Sequence, residues 1–131
     1  MSAAPASLGI QNIGQISIIV KDLQRATAFY RDVLGLTFLF AMPNLAFFDC
    51  GGVRLMLGPA ETPEFDHPSS ILYFRVADLD ASYQRLVELD AKIFAPPRLI
   101  APMATHDLWM AAFYDSEGNI HQLMSEVARA K

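Results

Sequence analysis

The sequence predicts an α+β fold: two tandem βαβββ units forming a curved mixed-sheet cup, with the helices outside. Three observations predict it. Residues 13–23 (IGQISIIVKDL) and 69–79 (SSILYFRVADL) each read as a strand running into Asp-Leu and then into a helical pattern. LAFFDCGGVRLML (45–57) is echoed by AAFYDSEGNIHQLM (111–124), with one extra residue in the second turn. The 131 residues are 53% apolar and 18% charged, enough to bury one core and too apolar for a disordered chain. The repeat also supplies an internal register, so each ligand position in one half has a counterpart in the other.

Residues 1–12 form a small, polar-leaning arm, 13–126 a single domain and 127–131 a tail. Within the domain, unit one covers 13–58, a linker 59–69 and unit two 70–126. The Ile/Val-rich run 14–20 alternates weakly, as a strand covered on both faces does. Asp22 is placed to cap the helix that follows, where Leu23, Ala26, Phe29, Tyr30, Val33 and Leu34 recur on one stripe. Gly35 stops it. Strands near 37–41, 45–50 and 53–57 follow, with Asp49-Cys50-Gly51-Gly52 as the last turn. The linker carries three prolines and several acids. In unit two a strand covers 70–76, Asp78 caps a helix striped by Leu79, Tyr83, Leu86 and Val87, and strands lie near 93–95, 108–114 and 120–124. The connection 95–107, APPRLIAPMATHD, reads as a long loop: a lid or ligand contact, or a plain surface excursion.

The net charge of −4 and the lack of any basic run argue against nucleic acid as a partner. No apolar run approaches the roughly 20 residues that span a bilayer. The opening MSAAPASLGIQNIG lacks the basic start and apolar core of a signal peptide, and the single Cys50 leaves no intrachain disulfide. The expected address is the cytoplasm.

The string Asp-Leu…Ala-x-x-Phe-Tyr-x-x-Val-Leu-Gly-Leu at 22–36, with Asp-x-x-Gly-Asn at 115–119, resembles the vicinal-oxygen-chelate superfamily. That superfamily includes glyoxalase I, extradiol dioxygenases and bleomycin-resistance proteins, and the likeness covers about residues 12–126. It implies a divalent metal held by one residue from each of four strands facing into the cup, usually His and Glu. Carried over by motif, the first ligand position is Gln15, seven residues before Asp22, and its second-unit counterpart is Ile71. The closing position is Gln122, three residues after Asn119, and the repeat places its first-unit counterpart at Leu55. Two neutral amides and two aliphatics suit no hard or borderline cation, so no metal is expected there. The resemblance also implies a homodimer.

His106 and Asp107, before the Trp109 strand, read either as an acid/base pair or as an ordinary loop histidine and a turn former. His121 neighbours Gln122, and alternation turns it toward the helix layer. His67, in the linker, has no neighbour suggesting chemistry. Tyr73 and Arg75 share the inward parity of Ile71; Arg75 can fork onto an anion or sit in a plain salt bridge. Arg54, of opposite parity to Leu55, is expected off the groove. Trp109, Met110, Phe47 and Phe48 read as core or groove wall. Cys50 lacks a basic neighbour to activate it.

The expectation is therefore a small organic molecule bound between the units, without the family metal. Gln15, Tyr73, Arg75, His106, Trp109 and Gln122 would make the polar and aromatic contacts. The rival is an enzyme of the same superfamily (a lyase, isomerase or dioxygenase) using His106 with Asp107 or a non-family metal site. A third reading is an interaction module whose cup is filled by its own side chains.

Overall fold

The structure, a computed structural model, describes residues 7–129. Unit one contains β1 (Gln15–Ile19), α1 (Leu23–Ala28), β2 (Thr37–Met42), β3 (Leu45–Cys50) and β4 (Val53–Gly58). Unit two contains β5 (Tyr73–Arg75), α2 (Leu79–Glu88), β6 (Ile93–Pro102), β7 (His106–Tyr114) and β8 (Ile120–Ala128). Each unit builds a four-stranded sheet, in the orders β1-β4-β3-β2 and β5-β8-β7-β6. In each, the first strand pairs with the last in parallel and the other pairs are antiparallel. This is the α+β plan of two βαβββ units.

Local chemistry sets the element ends. The carboxylates of Asp22 and Asp78 accept the N–H of Arg25 at 3.0 Å and of Ala81 at 3.1 Å, each capping its helix. After Ala28 the first helix widens into a π turn over Phe29–Val33, where Leu34 N–H reaches back five residues to Phe29 O at 3.0 Å. Gly35, at φ 72°, ends it. Asn44, at φ 65°, completes the Pro43–Asn44 turn between β2 and β3.

Several boundaries differ from the sequence reading, among them the strand read at 70–76, of which only β5 (Tyr73–Arg75) forms, so Ile71 lies just before it. The stretch 95–107 is not a loop: β6 continues through Pro96 and Pro97 to Pro102, and β7 already begins at His106. β6 is an edge strand, where a missing N–H faces solvent, and its pairing with β7 slips at three places. Proline there marks an edge, not a loop. At the other end β8 runs to Ala128, into the stretch read as a tail. Val87 is exposed and does not join the core stripe of α2. Of the N-terminal arm, residues 1–6 lie outside the described residues and 7–12 form no strand or helix.

The core sits between sheets and helices and joins the units. Ile18, Tyr30, Phe48, Leu55 and Leu57 fill the first half, and Leu79, Leu86, Phe113 and Leu123 the second. Phe29, Leu34 and Phe74 pack against both clusters, so burial in one unit depends on the other.

Candidate functional site

The opposite faces of the same strands form the cup. In β1 and β4, Gln15 lies beside Arg54 and Ser17 beside Met56; Ile16 beside Leu55 and Ile18 beside Leu57 point into the core. In β5 and β8, Tyr73 lies beside Gln122, while Phe74 and Leu123 point inward to the core. Ser17 and Tyr73 are equivalent by the Asp22/Asp78 register, so the partner of Gln122 in the repeat is Met56, not Leu55. Leu55 is 2% exposed and a core residue, and Arg54 is on the cup face after all. The slip has a simple cause. The sequence register matched Asp49 with Asp115, whereas the β3–β4 and β7–β8 ladders, laid over one another, match Asp49 with Tyr114 and put the extra residue wholly in the turn.

The four family positions are thus Gln15, Met56, Ile71 and Gln122. Gln15 Oε1, the atom a metal would use, accepts Arg54 Nε at 2.7 Å, and Gln15 Nε2 donates to Met56 Sδ at 3.5 Å. The Arg54 guanidinium lies 5.5 Å from the centre of the Phe47 ring. Hence a fixed positive charge stands where a divalent cation would have to bind, among donors that carry no negative charge. Among the described residues no three His, Cys, Asp or Glu side chains converge as a ligand set. These residues do not fit the family metal.

Gln122 Oε1 is buried and, among the described residues, has no hydrogen-bond partner. Beside it Tyr73 is half exposed, and Ala112, facing Gln122 across the ladder, contributes only a methyl. An orphan acceptor of this kind costs about 1–3 kcal/mol unless something donates to it.

Further along the same face, Glu126 bridges two of the residues read from the sequence. Its carboxylate lies 3.1 Å from Arg75 Nη1 and 3.4 Å from His106 Nε2. Arg75 and His106 are therefore brought together, through a residue the sequence reading missed. The signal was available: Gln122, Met124 and Glu126 share one strand parity. Asp107 and Trp109 are not part of this group. Asp107 pairs with Arg129 at 2.5 Å, on the face of β7 opposite His106. Trp109 shares the parity of Ala111 and Phe113, packs against the second core cluster and lines a depression with Ala77, Asp78 and Leu79. Met110, not Trp109, has the cup parity.

Below the cup a buried polar chain fixes the two units. His121, fully buried, accepts Leu72 N–H on Nδ1 at 3.2 Å, so Nε2 carries the proton and donates to Tyr30 Oη at 2.9 Å. Tyr30 O–H donates to Asp115 Oδ2 at 2.6 Å. Burial lowers the His121 pKa against the opposing pull of Asp115; burial and then the Asp115 charge hold the Tyr30 phenol far above its ordinary value. His121 is thus a neutral structural histidine, placed by alternation as expected. Cys50 is half-buried, and burial and Asp49 raise its thiol pKa, which keeps it protonated and passive.

At the β1–β4 end, the linker folds back over the cup. A 3-10 turn at Pro63–Phe65 shapes it, and Ile19 N–H donates to Ser69 Oγ at 3.0 Å to fasten its end to β1. Beneath it lies a cavity of about 290 Å³ lined by Ser17, Ile19 and Met56 from the cup and by Glu61, Phe65 and His67 from the linker.

Paired βαβββ units around such a cup are an architecture, not yet an activity. A family model described as the Glyoxalase/Bleomycin resistance protein/Dioxygenase superfamily matches residues 12–123, and the chain belongs to that superfamily. Among solved structures, TnmS3, an antibiotic binding protein from Streptomyces sp. CB03234, is 24% identical at a TM-score of 0.75, over 92% of this chain and 99% of that one. A superfamily member from Sphaerobacter thermophilus DSM 20745 is 25% identical at 0.74, over 91% and 100%. A lactoylglutathione lyase from Agrobacterium tumefaciens is 22% identical at 0.70, over 88% and 94%. The comparison with curated proteins found no match.

Proposed function

We propose that this chain binds a small, partly apolar organic molecule in the cup between its units, without the family metal. The observation that carries the proposal is the donor set: Gln15, Met56, Ile71 and Gln122, with the Arg54 guanidinium already on Gln15. The unsatisfied Gln122 Oε1 asks for a ligand N–H or O–H, and the half-exposed Tyr73 and Met56 offer apolar contact. The likeness to an antibiotic-binding protein agrees with sequestration as the role. Metal analysis of protein purified without chelator tests the reading. Zinc, nickel, iron or manganese below 0.1 equivalent by the ~1:1 standard of a resident site is expected, and stoichiometric metal would sink it.

One observation favours a second reading, catalysis. His106 and Glu126 form an imidazole–carboxylate pair on the cup face, 3.4 Å apart. It replaces the His106/Asp107 pair as the acid/base candidate. In a screen of ligands for turnover, His106→Ala would abolish product formation while leaving binding intact if this reading holds.

We further propose a cytoplasmic homodimer. Among the described residues no helix is long and apolar enough to cross a membrane. The outer strands β2 and β6 expose Phe38, Leu39, Met42, Phe94 and Leu99, apolar edges that a second copy would cover.

A further inference from the structure

We infer that the cavity under the linker is the seat of the ligand, and that the ligand it selects is a small organic cation: a protonated amine on an aromatic or branched apolar body. The inference rests on the reading of the cup as a binding site and narrows it to one end and one chemistry.

The apolar half of the recognition comes from Ile19 and Met56 on the sheet and Phe65 on the linker, which line the cavity together. Phe65 is 54% exposed, an aromatic ring kept at the mouth of a cavity instead of in the core. A thioether and a ring in one lining suit a flat or branched hydrophobe. The volume of about 290 Å³ lies at the lower end of small-molecule pockets and limits the body to roughly one ring and a short chain.

Charge selects the rest. Glu61 lines the cavity, and the same linker adds Glu64 and Asp66, whereas the twelve residues 59–70 contain no lysine or arginine. None of these three carboxylates enters an ion pair among the described residues, and no basic side chain except His67 lines the cavity. The nearest fixed cation on the cup floor, Arg54, is held by Gln15 and Phe47 outside the lining. An anion finds no lysine or arginine in the lining and is repelled by Glu61; an ammonium meets Glu61 with the Phe65 ring in the same lining. The Ser17 and Ser70 hydroxyls supply additional acceptors. The Ile19–Ser69 hydrogen bond keeps the roof in place, so the site is largely formed before a ligand arrives.

The test uses three probes of one shape on the full chain: phenethylamine, 2-phenylethanol and phenylacetate, titrated by two-dimensional amide NMR. Phenethylamine is expected to bind most tightly and to shift Ser17, Ile19, Phe65 and Ser69. Glu61→Gln, a surface change that leaves the core intact, should weaken phenethylamine about two- to fivefold, the effect of a partly exposed ion pair, and leave 2-phenylethanol unchanged. Equal or tighter binding of phenylacetate, or indifference to Glu61→Gln, overturns the cation assignment. Shifts confined to Tyr73, Ala112 and Gln122 overturn the cavity while leaving the cup as a binding site. No shift at either place with any probe overturns the cavity assignment, whereas the cup reading falls only with stoichiometric metal.

Discussion

The Tyr30 hydroxyl, on the π turn that follows α1, donates to Asp115 Oδ2 in the closing turn of the other unit at 2.6 Å. Both residues are buried, and the phenol simultaneously receives His121 Nε2. One oxygen therefore ties a helix of the first unit to two positions of the second. Tyr30→Phe keeps the ring and its packing on Phe29 and Phe48 but leaves the His121 N–H without an acceptor. The expected loss is about 1–3 kcal/mol in urea unfolding, with an unchanged m-value. A variant as stable as the wild type would mean that the network contributes nothing net.

A second clasp lies at the surface end of the same turn. Glu117, with 3% of its side chain exposed, accepts the backbone N–H groups of Asp22 and Lys21 at 2.8 and 3.0 Å and Arg25 Nε at 2.7 Å. Burial pushes its pKa up, but these donors together with Ser116 pull it down to about 2. Because the folded value lies below the unfolded one, its stabilisation is complete above about pH 4.5 and is lost as pH falls toward 2. Glu117→Gln should cost on the order of 2 kcal/mol at pH 7, after allowance for solvent screening of Arg25. The gap from wild type should close on acidification. A constant gap across that window, measured by chemical denaturation, would contradict this account.

Gly58 ends β4 where the chain passes under the β2–β3 turn. A Cβ there would stand 2.6 Å from Leu45 Cδ2 and 2.8 Å from the Asn44 carbonyl oxygen. The leucine can rotate away, but the carbonyl belongs to a turn fixed by Pro43. Gly58→Ala should therefore destabilise by about 1–3 kcal/mol, despite removing a flexible residue from the unfolded chain. Thermal unfolding of this single variant decides it; a raised Tm would show that the turn gives way.

Leu39 lies exposed on the edge strand β2 and is not part of the buried cluster. Leu39→Lys should reduce self-association at least tenfold without changing monomer stability, since a charge on a strand edge opposes pairing. Light scattering across a dilution series measures it. Unchanged association would move the interface away from β2.

The fold was legible because the repeat imposes its periodicity twice: Asp22 and Asp78 cap as read, and Ile18 and Leu57 face the core as strand alternation requires. The site was less legible, and one residue explains much of the difference. Strand parity is all-or-none, so placing the extra turn residue one position wrong exchanged Leu55 for Met56 and moved Arg54 off the cup. Asp107 and Trp109 lie on the other face of β7 from His106, for a related reason. Asp107 was paired with His106 by adjacency in sequence, while neighbours on a strand face opposite ways; Trp109, read as core or groove wall, has the core parity of Phe113. Glu126 was missed because it lay beside a boundary drawn from composition, and the linker cavity because proline and acid content mark a loop without saying what it covers.

The halves share a backbone plan but not a surface. Where the second unit carries Asp115 and His121 the first has Cys50 and Leu55, and where the first carries Tyr30 the second has Leu86. Two first halves would bring a phenol against a leucine, and two second halves would trap a carboxylate and an imidazole with no hydroxyl between them. The Tyr30–Asp115–His121 chain therefore forms only where unlike halves meet. It also frees each half to diverge on its cup side, since correct pairing is policed from below.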